Sequence, residues 1–208
     1  RLPQMGGGID PQIEAVVAAR PDVVLAAQSA RGLARLEALG LKVLAIEPKT
    51  HAQARQAFER LGRLLEVPEA DRLWARIDAG VDQAARSLPT AARGQRVYFE
   101  VNRGPYAAGP GSFLGETLAR LGLANIVPAD LGPFPHLNPE FVVLADPDLI
   151  MAGERGQERL EDRPGWAGLT AVNRPGPPGP GASLHGRFSM TGSGHPLQGL
   201  AEFQGLFE

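Results

Sequence analysis

Ser112, in "GPGSFLGE", stands where a nucleophilic hydroxyl could, but the Gly-x-Ser-x-Gly frame of a nucleophile elbow fails at Pro110. The same segment lacks the Gly-Lys-Ser/Thr ending of a phosphate loop. "MGGGID", residues 5–10, is glycine-rich and precedes a helical pattern, and a tight turn explains it better than an anion site. Glu100, at the end of "RVYFEV", is a carboxylate with no partner readable nearby for acid–base work. Of the four histidines, His51 is expected in a solvated helix start, His136 in a proline-flanked loop, and His185 and His195 in a Gly/Pro-rich tail. No pair of them has zinc-site spacing, so no metal is expected. The absence of cysteine removes thiol catalysis, thiolate metal sites and disulfides together. What remains is aromatic: Tyr106 in "NRGPYAAGPGS" and Phe134 in "LGPFPHLNPE". Large aromatics on turn-rich loops past a strand suit ligand binding rather than catalysis. No enzyme is expected.

The elements that must carry these loops follow from pattern. "IDPQIEAVVAAR" reads as a helix with Asp10 as N-cap and Pro11 at its first position. Pro21 ends that helix by excluding α geometry at Arg20. "VVLAA" lacks alternation and reads as a fully buried parallel strand. The helix "ARGLARLEAL", closed by Gly40, and the strand "KVLAIE" complete a β-α-β unit. Two helical stretches follow, "THAQARQAFERLGRLLEV" and "EADRLWARIDAGVDQAARSL", the second with apolar residues at 73, 77, 81, 84 and 88. "RVYFEV" then opens a second α/β half with the helix "FLGETLARLG". From Arg174 the chain is dense in Gly and Pro without period and reads as an irregular tail.

The two halves repeat one another. "IEAVVAARPDVVLAA" and "PEFVVLADPDLIMAG" share acid, apolar pair, Pro-Asp and apolar run at an offset of 126 residues, so that Glu14 matches Glu140 and Pro21 matches Pro147. The 208 residues suffice for two lobes of roughly 100 each. A net charge of −2 gives no electrostatic support for nucleic-acid binding, and no stretch reaches the ~18 apolar residues of a membrane helix.

"GGGIDPQIEAVVAARPDVVLAA", "LEALGLKVLAIEPKT", "GPYAAGPGSFLGETLARLGLANIV" and "LGPFPHLNPEFVVLADPDLIM", in that order, resemble the periplasmic vitamin B12-binding protein family. These are the helical-backbone substrate-binding proteins of ABC importers for cobalamin, haem and iron-siderophores. The resemblance covers roughly residues 3–173. It implies an α/β fold of two Rossmann-like lobes joined by one long rigid helix. The division would be 1–66 for a partial N-terminal lobe, 67–90 for the linker helix, 91–173 for the C-terminal lobe and 174–208 for the tail. The family's first strand and helix would be missing, and the tail would replace its last strand and helix.

The resemblance further implies that a corrinoid is captured between the lobes and delivered to a dimeric permease, with haem or a ferric siderophore as the alternative cargo. No cofactor is implied. The protein would be a periplasmic monomer, and no signal peptide is visible in "RLPQMGGG". Tyr106 and Phe134 match positions that pack on the corrin ring, and Asn102, Arg103, Gln28 and Ser29 are the further expected ligand contacts. Gly8 and Ala27 stand where the cobalamin binders carry aromatics, which leaves the first lobe's pocket poorer. Haem would draw on Tyr106 or His136 as iron ligand, and a siderophore on Arg103. Glu14 and Glu140, one at each repeated helix start, correspond to the carboxylates that dock on permease arginines.

Overall fold

In the computed structural model, which describes residues 3–7, 9–102, 105–152, 160–173 and 186–187, the glycine-rich start is a tight turn. Gly7 and Asp10 exchange backbone hydrogen bonds, the Gln12 amide donates to the Met5 carbonyl, and Gly6 bridges Pro11. That turn absorbs Asp10 and Pro11, so the expected Asp10 cap is not formed. Helix α1 begins two residues later, at Ile13–Ala18, with Gln12 as its N-cap and no side-chain cap bond.

The chain divides into two units, Arg1–Pro48 and Lys49–Glu208. In the first, β1 (Val24–Ala26) and β2 (Val43–Ala45) pair in parallel across α2 (Leu33–Ala38). Gly40 follows α2 with a φ of +84°, the left-handed C′ position that the sequence assigns to it. The expectation of a fully buried β1 fails. Leu25 is half exposed, because β1 has one neighbouring strand among the described residues and one face of the pair is incompletely covered.

The second unit opens with α3 (His51–Leu64) and α4 (Ala70–Ser87), which pack on each other. At 1.5 Å per residue the 18 residues of α4 run about 27 Å. Its buried stripe is Trp74, Val81 and Ala84, with Leu88 just beyond, close to the sequence pattern. The sheet that follows is built on β3 (Arg96–Asn102). One side of β3 carries β6 (Leu149–Ala152) in parallel. The other side carries β5 (Ala124–Asn125) in parallel at its amino end and β4 (Tyr106–Ala107) antiparallel at its carboxyl end. Successive side chains of a strand face opposite ways, and "VYFE" uses both faces. Val97 and Phe99 enter a core with Ala84, Leu88, Leu118 and Leu121, whereas Tyr98 enters one with Val142, Ile150, Trp166 and Leu169. Helices on both faces are what a mainly parallel sheet requires. They include α5 (Phe113–Arg120) and α6 (Pro139–Ala145), and a short α7 (Thr170–Asn173) follows.

The expected irregular tail lies outside the described residues except at Gly186–Arg187, which form β7 parallel to β6. That short strand departs from the loop expectation. The backbone groups of Met151 and Ala152 offer a ladder that any extended segment can complete, whatever its composition.

The repeat holds in three dimensions at the level of its elements. Under the 126-residue shift α1 falls on α6 and β1 on the end of β6. Each helix ends on a residue of positive φ directly before the proline, Arg20 at +47° and Asp146 at +38°. Proline disfavours right-handed helical geometry in the residue before it, and the left-handed turn redirects the chain into the strand. In the second copy this turn is fastened further. The Asp146 carboxylate accepts from the amide and hydroxyl of Thr170, both at 2.7 Å, and the Arg96 guanidinium donates to the Asp146 carbonyl.

Candidate ligand-binding site

At the carboxyl end of β3 the chain turns back as residues 105–109, and residues 133–137 run antiparallel beside them. Ala107 and Gly109 donate to the carbonyls of Pro135 and Pro133, each at 2.9 Å, and Leu137 donates to Pro105 at 3.2 Å. The prolines cannot donate, so they sit where only their carbonyls are needed. This register sets Tyr106 opposite His136, with ring centroids 5.3 Å apart and edge to face. Phe134 lies two residues along the same strip. The backbones approach so closely at Gly109 that an added Cβ would stand 2.2 Å from the Gly132 carbonyl oxygen.

Tyr106 and Phe134 keep 42% and 39% of their surface exposed, while Ala107 and Ala108 between them are fully buried. The small residues anchor the strip and the aromatics stay outside. Two further groups hold it. Ser112 is buried, donates from Oγ to the Gly109 carbonyl (2.7 Å) and accepts from the Gly115 amide (3.0 Å), which caps α5. Asn125 donates to the Ala108 carbonyl at 2.8 Å. Asn102 ends β3 opposite Tyr106 in the ladder. Arg103 and Gly8 lie outside the described residues.

In the first unit Gln28 and Ser29 follow β1 and are exposed. Both donors of Ser29 are engaged: its amide and hydroxyl reach the two carboxylate oxygens of Glu47 at 2.8 and 3.0 Å. Glu47 stands just past β2, so this clasp ties the carboxyl ends of the two parallel strands. Sequence reasoning missed Glu47, and Ser-to-Glu contacts over such a separation leave no local signal.

Glu14 and Glu140 occupy the first turns of α1 and α6. Glu14 is exposed and 3.7 Å from an equally open Arg35, a pair of little energetic weight. Glu140 is exposed, and its amide is capped by the Asn138 side chain at 3.0 Å. The helix N-terminus favours a carboxylate at both positions.

Two titratable groups differ from expectation. Glu100 is not a lone carboxylate. It is 2% exposed and accepts from both terminal guanidinium nitrogens of Arg163, at 2.7 and 2.9 Å, and from the Tyr98 hydroxyl at 3.1 Å. Arg163 also lies over the Trp166 ring, 4.6 Å from its centre. Burial, and then the Glu100 charge, push the Tyr98 phenol up out of the physiological range. The whole group therefore fastens the segment around residues 160–168 to β3. His51, expected in solvent, is instead half-buried against α4 and α5. It stacks on Phe113 at 4.2 Å and meets the edge of Trp74. Its apolar neighbours draw it in, which a reading of α3 alone could not foresee.

An α/β framework with aromatics held open on bonded loops at strand ends offers apolar surface to a solute. The chain belongs to the periplasmic binding protein family, whose sequence model matches residues 1–174. It is 32% identical over 149 residues to a "Cobalamin-binding protein" of Halobacterium salinarum, a match covering 68% of this chain and 40% of that relative. The chain thus spans less than half the length of that relative. Its fold is similar to that of an ABC transporter substrate-binding protein from Listeria monocytogenes, with a TM-score of 0.76 at 18% identity, covering 100% of this chain and 87% of the other. It is similar also to a periplasmic haem-binding protein from Pseudomonas aeruginosa, with a TM-score of 0.74 at 21% identity, covering 99% and 78%. At those identities the likeness is one of fold.

Proposed function

We propose that this chain captures a corrinoid and presents it to the permease of an ABC importer. The observation that carries the reading is the pair of solvent-open aromatics, Tyr106 and Phe134, on a strip too tightly bonded to collapse over them. Rigid rings offer apolar surface to a large flat ligand at low entropic cost. The 32% identity to a relative described as cobalamin-binding supports the corrinoid over other flat ligands. The bound molecule is cargo and not a cofactor. Glu14 and Glu140 serve as the two docking carboxylates, and the protein works as a periplasmic monomer. A non-enzymatic role is supported by Glu100, whose oxygens are committed to Arg163 and shut away from solvent.

Haem is the second reading, and one observation favours it. The edge contact of Tyr106 with His136 sets a phenol and an imidazole side by side, two groups that can ligate haem iron. Parallel titrations with cyanocobalamin and haemin test both. Saturable heat with cyanocobalamin and only nonspecific haemin uptake support the corrinoid. A sharp Soret shift with haemin that is lost in Tyr106→Phe supports haem. Saturation by neither removes both.

A further inference from the structure

We infer that His51 is a proton-sensitive latch, which holds the first turn of α3 against α5 while neutral and lets it go when protonated. The geometry fixes which ring nitrogen carries the proton. Nδ1 is 3.3 Å from Nη1 of Arg120, a group that can only donate, so Nδ1 accepts and carries no proton. Nε2 then bears the hydrogen and donates to Oγ1 of Thr117 at 2.8 Å, while that hydroxyl donates onward to the Phe113 carbonyl. A second proton would have to enter at Nδ1, where it would face the Arg120 guanidinium.

The charges around the ring come from the two helices packed against it, α4 and α5. From α5 come Arg120 and Glu116, and from α4 come Asp78 and Asp82, both bound to Arg120 at 2.5 Å. No charged side chain of α3 itself enters the bonding around the ring among the described residues. Glu116 and Asp78 favour the imidazolium; burial and Arg120 oppose it and win, so the imidazole is held below its ordinary 6.5. Both acids are already occupied. Glu116 accepts the His51 amide at 2.6 Å, and so caps a helix start 65 residues away, while Asp78 is spent on Arg120.

A histidine whose folded pKa is lowered supports the fold at neutral pH. That support fades as pH falls below the ordinary 6.5 toward the folded value, where the unfolded chain binds more protons. What loosens is local. The imidazolium loses the Arg120 bond and is repelled by it, and the Thr50 and Glu116 caps on α3 are strained with it.

Nitrogen-detected imidazole spectra of the intact chain between pH 8 and pH 5 test the latch without any ligand. The expected result is an Nε2–H tautomer at pH 8 and a midpoint below that of a free histidine. Amide exchange protection at residues 53–56, corrected for intrinsic rate, should fall about fivefold or more over the same range, the scale of one net hydrogen bond. In His51→Gln, which keeps a donor but cannot be protonated, the fall should vanish. An ordinary or raised midpoint overturns the latch even if the variant fails to fold. An equal fall in His51→Gln also overturns it, and assigns the acid response to Asp78, Asp82 and Glu116.

Discussion

Replacing Phe134 by alanine removes one of the two aromatic surfaces proposed to meet the ligand. A buried phenyl side chain contributes roughly 200 Å², and 39% of Phe134 is exposed, leaving about 80 Å² for a ligand to cover. At ~25 cal/mol per Å² that contact is worth about 2 kcal/mol, or about thirtyfold in Kd. The larger part of the ring that is already buried supports the strip, so thermal melting must accompany the titration. Phe134→Leu retains part of the area and should lose about half the effect. The assay is calorimetric titration of cyanocobalamin into each variant. A Kd within twofold of the parent, with an unchanged melting temperature, would refute the placement of Phe134 against the ligand. A thirtyfold loss matched by an equal loss with a chemically unrelated solute would refute the corrinoid.

Glu14→Ala with Glu140→Ala should leave ligand affinity unchanged and lower importer-dependent uptake, each single change being milder; binding to the permease should weaken with salt, since exposed charges are screened over ~8–10 Å. Arg163→Met leaves the Glu100 carboxylate buried without its partner and should cost about 3–5 kcal/mol in urea unfolding, much of it recovered when Glu100→Met is added. Ser112→Ala removes the cap of α5 and should cost about 1–2 kcal/mol by the same measurement.

The elements of this chain were legible where one short stretch decides the outcome. Pro21 and Pro147 mark two helix ends, Gly40 marks a third, and the repeat around the prolines matches the equivalent turns found at Arg20 and Asp146. Tyr106 and Phe134 stood out because aromatics on turn-rich loops have no local reason to be there. The misreadings have two other causes, a competing turn and distant packing. Asp10 has the chemistry of a cap, but its backbone is claimed by Gly7 across the turn. His51 looked solvated until α4 and α5 closed on it, and Glu100 looked solitary because its partner lies 63 residues on. The contacts of His51 and Glu100 are made by the packing of distant segments, and neither periodicity nor propensity records them. The clasp of Ser29 by Glu47 is of the same kind.

The strip at 105–109 and 133–137 separates two duties that most surfaces mix. Among the described residues, the hydrogen bonds that fix its path run through main-chain atoms and through Ser112 and Asn125 beneath, and Gly109 allows the close approach to Gly132. The side chains at 106, 134 and 136 enter none of these hydrogen bonds. Substitutions there change what the strip touches while the loop keeps its shape. On the proposed reading, exchanging the exposed parts of these side chains would alter the surface offered to a ligand without touching the bonds that hold the loop.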